Sequence, residues 1–179
     1  FNHSTSKPEG VGEKVMAQIM NDTLPAMLAE WGFSLLTVPA DANILDAGCG
    51  GGANLGRWLE RCPEGHVTGL DYSAVSVETA QKYNRQAIAE GRCAVVQGNV
   101  AELPFEDDTF DVVSAFETVY FWPGLERCFA EVLRVLKPGG LFFLCNETDG
   151  NNPEQEAQWM KKIQEMQVYD KKQLRSALS

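Results

Sequence analysis

Ile44-Leu45-Asp46-Ala47-Gly48-Cys49-Gly50-Gly51-Gly52 carries a short apolar strand straight into four glycines, and a helical pattern starts at Ala53. One or two glycines are enough for a tight strand-to-helix turn, whereas four let backbone approach a ligand closely. In an open α/β sheet such a loop lies at the carboxyl ends of the strands, where ligands bind. The pattern around it fits that architecture. Ala53 to Arg61 places Leu55, Trp58 and Leu59 on one helical face, and Pro63, Glu64 and Gly65 form a turn. His66 to Asp71 reads as a second strand, and Ser73 caps a helix running through Ala89 to Gly91. Cys93 to Gln97 is strand three, and Phe110 to Phe116 is a fully covered strand four. Leu125, Phe129, Val132, Leu133 and Leu136 recur at helical spacing until Lys137-Pro138-Gly139-Gly140 stops them before strand five, LFFLCN. Strands alternating with helices predict βαβ units and a mostly parallel, doubly wound, Rossmann-like sheet. Upstream, Val15, Met16, Ile19, Met20, Met27, Leu28 and Trp31 form an amphipathic helical stretch, interrupted near Pro25, whose apolar stripe reads as core.

A chain of 179 residues with 44% hydrophobic and 22% charged residues reads as one soluble globular domain. Fifteen Lys plus Arg against 25 Asp plus Glu leave a net charge of −10, which disfavours nucleic acid and anionic membrane surfaces as partners. The five cysteines, Cys49, Cys62, Cys93, Cys128 and Cys145, are scattered without a CxxC or a Cys/His cluster. They argue against a zinc site and a disulfide framework and favour a reducing cytoplasm. No apolar run suits a membrane span and no signal peptide is legible. A chain that opens on Phe1 and stops at Ser179 inside a helical pattern reads as a trimmed piece.

Asp71 closes strand two, nineteen residues after Gly52, a spacing that suits a carboxylate accepting hydrogen bonds from a ribose diol. A helix cap is the plainer role, but Ser73 can fill it. After strand three, Asn99 and Val100 could offer a side-chain amide and a backbone N–H to an adenine edge, although Asn is also common in loops for turn reasons.

These residues resemble the class I S-adenosylmethionine-dependent methyltransferases, of the ubiquinone/menaquinone-biosynthesis type, over roughly residues 40 to 179. Asp46, Gly48, Gly50 and Gly52 match the family's acidic-GxGxG motif, and Asp71 its acidic residue closing strand two, with Tyr72 and Ser73 flanking it. GNVAELPF stands where many relatives have GDAxxLPF, so Asn99 replaces an Asp. Phe110, Asp111, Val113, Glu131 and Arg134 to Gly140 match a further block. The resemblance implies that Asp46, Gly48, Gly50, Gly52 and Asn54 hold the methionine end of S-adenosyl-L-methionine, with Asp71, Tyr72, Ser73, Asn99 and Val100 around its nucleoside. The product would be S-adenosyl-L-homocysteine and the partner a small-molecule methyl acceptor, with no metal and with oligomeric state open. A nicotinamide oxidoreductase competes, because Gly48, Gly50 and Ala53 also satisfy GxGxxG/A. Asp46 counts against it, since a carboxylate there repels a pyrophosphate and suits a sulfonium and an α-ammonium group. A non-catalytic cofactor-binding protein on the same fold is the third reading.

Methyl transfer from a sulfonium is an in-line displacement, so the protein chiefly aligns the acceptor and excludes water. That explains the absence of a triad or carboxylate pair from the motifs. The resemblance places Glu117 to Trp122 (ETVYFW) beside the methyl group. Glu117 would frame the cofactor, and Tyr120, Phe121 and Trp122 would wall the acceptor pocket; ordinary aromatic packing is the alternative. Glu147, Thr148 and Asp149 are a second acceptor-side candidate, and His3 could act only if the N-terminal segment folds over the site. His66 lies away from the ligand edge, Cys49 reads as a small filler, and Glu106, Asp107, Asp108 and Asp111 read as a solvated loop. Residues 1–38 are expected to form a helical acceptor-side segment and 39–179 the cofactor domain. Such sheets usually have seven strands, whereas five are legible, so the final antiparallel hairpin is expected to be missing.

Overall fold

The structure, a computed structural model, describes residues 23–146 and 171–178, with 152, 154, 157 and 158 between them. Its elements in chain order are α1 (Thr23–Ser34), β1 (Asn43–Ala47), α2 (Ala53–Arg61), β2 (His66–Asp71), α3 (Ala74–Tyr83), α4 (Arg85–Ala89), β3 (Cys93–Gln97), β4 (Phe110–Phe116), a 3-10 turn (Val119–Phe121), α5 (Leu125–Val135), β5 (Leu136–Cys145) and α6 (Lys171–Ala177). The strands order as β3-β2-β1-β4-β5, every pair parallel. Among the described residues no antiparallel hairpin joins them, as expected. The order of strand addition reverses between β1 and β4, so the connections after these two strands leave in opposite directions and open a crevice at their carboxyl ends.

Alternation along the strands feeds two cores. Leu45, Ala47, Val113 and Ala115 face α5, where Phe129 and Val132 are fully buried. Ile44 and Val112 face Trp58, Leu55 and Phe33 on the opposite side. Burial on both faces makes the central strands near-continuously apolar, so Asp46 and Ser114, exposed by 2% and 0%, stand out as polar residues inside them.

Three expectations need correction. The helix after Ser73 breaks at Asn84, because its Nδ2 donates to both Gly52 O (2.9 Å) and Ala80 O (3.0 Å). A side chain that binds backbone in this way competes with continuation of the helix. On α1 the buried positions are Ala29, Gly32 and Phe33, whereas Met27 and Trp31 are 69% and 58% exposed, so the stripe containing them is not core. Phe33 supplies the contact instead, edge-on to Trp58 and stacked on Phe116. Pro25 falls in the first turn of α1, where a missing N–H is tolerated. Positions 15 to 20 of the stripe, and His3, lie outside the described residues. Lys137 to Gly140 belong to β5 as an irregular stretch: the register runs from Phe110↔Leu136 directly to Val112↔Leu141.

Candidate functional site

The glycine loop is stitched to the end of β2. Gly48 N and Cys49 N both donate to Leu70 O, at 2.7 and 2.9 Å, and Gly52 N donates to Cys49 O at 3.0 Å. Gly52 adopts φ +85°, and a Cβ there would fall 2.7 Å from Ala80 Cβ and 2.8 Å from Ala80 Cα. Gly50 adopts φ +52°, but a Cβ there would meet nothing within 4 Å. The loop therefore packs tightly at its end and presents bare backbone to open space at its middle. A Cβ on Gly48 would collide with the Thr118 side chain, which ties the turn after β4 to the same loop.

Two carboxylates flank this cradle. Asp71 Oδ2 accepts from Gly50 N and its Oδ1 from Ser73 N, both at 2.9 Å, so it links the loop to the start of α3. A carboxylate has roughly four lone-pair sites, and with the Ser76 side chain also hydrogen-bonded to Asp71 about one remains for a ribose hydroxyl. Desolvation raises the Asp71 pKa, against hydrogen bonds that lower it. Asp46 is more deeply buried, and desolvation above all pushes its pKa to about 7, with the Asp71 charge adding to the rise and a hydrogen bond from Ser114 opposing it. Two carboxylates that repel one another beside an open loop form an environment suited to a cation.

The remaining candidates divide by what already holds them. Ser73 caps α3, accepting from Ser76 N at 3.3 Å, and Tyr72 is 55% exposed beside it. Asn54 Oδ1 accepts from Arg57 Nη1 at 3.0 Å. Asn99 Oδ1 accepts from Ala101 N at 2.9 Å, so the oxygen serves the loop and an adenine contact falls to the amide nitrogen. Val100 is buried beneath it. Glu117 sits at φ +55°, an uncommon conformation for a residue with a Cβ, its N donating to Cys145 O at 2.9 Å, and Tyr120 OH approaches its Oε1 at 3.4 Å. Trp122 corrects its expectation: 5% exposed, it stacks on Phe142 and lies edge-on to Phe129 in the core, so it backs the crevice rather than walls it. Cys49 is buried with its Sγ over Gly69, where a Cβ would come within 2.9 Å, and burial together with Asp71 and Asp46 holds the thiol protonated. Glu147, Thr148 and Asp149 lie outside the described residues.

The loop of residues 99–108 is clamped from α5. Arg134 donates to Phe105 O (2.8 Å), Leu103 O (3.0 Å) and Asp107 Oδ1 (2.8 Å) while paired with Glu131, which accepts from Leu103 N at 2.8 Å. Asp111 accepts from Asn43 N and Lys137 Nζ. The acidic run therefore has Arg134 and Lys137 as partners. Removing the clamp in Arg134→Ala orphans two carbonyls and is expected to destabilise the protein by about 2 kcal/mol. Hydrogen exchange is expected to show the Leu103 amide losing protection before the strands do; unchanged exchange there would refute the clamp. Asn84, Thr118, Ser114 and the indole N–H of Trp58 belong to this site's framework and were not legible in the motifs. An Asn in the middle of a helical pattern was the one available signal, for Asn84.

The family model described as "Methyltransferase domain" matches residues 45–144. Botryococcene C-methyltransferase of Botryococcus braunii is 36% identical over 126 residues, which are 68% of this chain and 33% of that protein. The 24-methylenesterol C-methyltransferase 3 of Arabidopsis thaliana is 36% identical over 113 residues, 63% of this chain and 31% of that one. The chain thus spans about a third of the length of these curated relatives, and their names are those of sterol and botryococcene enzymes rather than quinone enzymes. Among solved structures, the complex between the Haloferax volcanii Trm112 methyltransferase activator and a methyltransferase superposes with TM-score 0.81 at 25% identity, covering 92% of this chain and 70% of that one. Geranyl diphosphate C-methyltransferase from Streptomyces coelicolor A3(2), solved with Mg2+, geranyl diphosphate and S-adenosyl-L-homocysteine, shares the fold with TM-score 0.74 at 20% identity, covering 98% and 66%. The [4+2]-cyclase SpnF shares it too, with TM-score 0.71 at 24% identity, covering 85% and 55%. A matched model over more than half of the chain, on a parallel five-stranded sheet with an open glycine loop, leads to one assignment: this chain belongs to the methyltransferase domain family and has the Rossmann-like class I methyltransferase fold.

Proposed function

We propose that this chain binds S-adenosyl-L-methionine at the carboxyl ends of β1, β2 and β3 and directs its methyl group to an apolar small-molecule acceptor. The observation that carries the reading is the open backbone of Gly50 between Asp46 and Asp71. A cationic ligand gains from both carboxylates, whereas a dinucleotide would bring a pyrophosphate against them, which disfavours the oxidoreductase reading. When bound, the cofactor supplies a methyl group activated by a sulfonium. The protein's own part is to hold and orient. Gly48, Gly50, Gly52 and Asn54 cradle the amino-acid end, Asp71 takes a ribose hydroxyl between Tyr72 and Ser73, and Asn99 and Val100 border the adenine. Glu117 borders the acceptor, with Tyr120, 3% exposed and in the same core as Trp122, packed behind it, and with the α1 region, part of the 1–38 segment, beside it: Cys145, whose carbonyl holds Glu117 N, has its Sγ 3.7 Å from Leu28 O of α1. An isoprenoid or sterol-like acceptor is supported by the C-methyltransferase names of the relatives. A reducing compartment, the cytoplasm, is supported by five free, buried cysteines.

Calorimetry with S-adenosyl-L-homocysteine and with NADH is the first test, and binding of NADH alone ends the reading. Asp71→Ala is expected to weaken cofactor binding roughly ten- to a hundredfold, the scale of lost charge-assisted hydrogen bonds. An unchanged Kd removes Asp71 from the site. Because a cyclase shares the fold, turnover needs its own assay: label transfer from methyl-labelled cofactor to sterol and linear isoprenoid acceptors.

A further inference from the structure

Asp46 is the end point of a polar chain that crosses three elements inside the apolar core. Trp58 on α2 donates its indole Nε1–H to Ser114 Oγ on β4 at 3.0 Å, and Ser114 donates to Asp46 Oδ1 on β1 at 2.7 Å. All three are buried, with exposures of 0%, 0% and 2%. Asp46 and Ser114 are also paired in the β1/β4 register, at the switch point of the sheet. An indole N–H can only donate, so Ser114 Oγ accepts on that side, and toward an ionised Asp46, which can only accept, the Ser114 hydroxyl donates. The direction of the chain is thereby fixed.

We propose that Trp58 and Ser114 are positioning residues for the ligand site, a one-way relay that holds the Asp46 carboxylate as an acceptor and so keeps its ionised form available to a cationic ligand. The purpose of the relay rests on the cofactor reading above, but its action on Asp46 does not. Without it a buried carboxyl has every reason to stay neutral, and a neutral Asp46 gives a sulfonium or ammonium nothing to face. The titratable groups that bear on Asp46 are Asp71, from the end of β2, and the Cys49 thiol in the glycine loop, with the Ser114 hydroxyl from β4 and the Trp58 indole from α2. Asp71 opposes ionisation of Asp46, the thiol is held protonated by burial and by both carboxylates, and Ser114 supplies the opposing hydrogen bond.

The test is a 13C titration of the Asp46 carboxyl in the ligand-free protein, with S-adenosyl-L-methionine affinity measured across the same pH range. Ser114→Ala removes the donor, and the Asp46 midpoint is expected to move up by about one pH unit, equivalent to roughly tenfold weaker binding on the acid side and little change on the alkaline plateau. Trp58→Phe keeps the ring contacts and frees the Ser114 hydroxyl to rotate, so a smaller shift in the same direction is expected in a protein that remains folded. A merely structural role would change thermal stability in both variants and leave the midpoint where it was, which overturns the proposal. Midpoints that move as expected in a wild-type protein that binds no S-adenosyl-L-methionine at any pH overturn the cofactor reading, and with it the purpose assigned to the relay.

Discussion

Gly52→Ala is expected to lower Tm by about 10 °C, whereas Gly50→Ala, two residues away in the same loop, is expected to fold and lose its ligand. At Gly52 the backbone is left-handed and an added methyl meets Ala80 Cβ and Cα at 2.7 and 2.8 Å, with Asn84 Nδ2 also at 2.8 Å. Ala80 is a backbone contact inside α3 and cannot swing away. The left-handed conformation costs an L-residue about 1–2 kcal/mol, and overpacking a fixed neighbour adds about 1–3 kcal/mol. A total of about 2–5 kcal/mol corresponds to roughly 10 °C in a protein of this size. At Gly50 only the conformational part applies, because the space is empty, so a loss of roughly 3–6 °C is expected. That space is where the proposed cofactor's amino-acid end would lie, and a methyl there is expected to weaken binding by at least about tenfold. Thermal melts and calorimetry on the two variants measure both effects. Equal melting temperatures, or Gly50→Ala binding as tightly as the wild type, would refute the division of the loop into a packed end and an open middle.

That division shows how far the sequence could be read. The succession of apolar strands and helices was legible, down to the limits of α2, β2, β3 and β4, because burial on both faces of a parallel sheet leaves a period-independent apolar run between glycine and proline signals. The glycine loop and Asp71 were legible for a related reason: bare backbone and a carboxylate at strand ends have few other uses. What escaped were features that depend on long-range contact. Nothing in the pattern of α1 distinguishes exposed Trp31 from buried Phe33, since the choice is made by Trp58 and Phe116 on distant elements. The family resemblance implies an acceptor-wall role for Trp122, yet Phe129 and Phe142 claim its ring, the aromatic packing that stood as the alternative. Asn84 breaks its helix to reach Gly52 O, thirty-two residues earlier in the chain. Ser114 reads as an ordinary small residue of a buried strand until Asp46 is found opposite it.

Asp46→Asn is expected to stabilise the ligand-free protein at alkaline pH while weakening the binding of a cationic ligand. The Asp46 pKa stands near 7 in the folded protein, against about 3.8 for the residue in an unfolded chain. Between those values the folded state holds a proton that the unfolded state has released, so stability is fully present below about pH 4, falls as pH rises and levels off above about pH 7. By linkage the loss at pH 8 is about 4 kcal/mol, equivalent to roughly 10 °C in Tm. An amide does not ionise, and its oxygen still accepts from Ser114, so the variant escapes that loss. Asp71 shifts in the same direction as Asp46 and is relieved of a like charge when Asp46 is neutral, which adds to the gain. The expected result is a Tm for Asp46→Asn well above the wild type's at pH 8, with the two converging below about pH 4. A cation loses a buried charge partner in the variant, and its affinity is expected to fall by at least about tenfold at pH 8 and far less at pH 5.5, where the wild-type carboxyl is itself mostly protonated. Wild type and variant melting together at pH 8 would show that Asp46 is not held near neutrality by burial. Equal affinities at pH 8 would show that its charge does not face the ligand. Such a residue is a strain that the empty site bears for the sake of the occupied one, so bound cation and ionised Asp46 should stabilise each other, and proton release on binding should be largest close to pH 6.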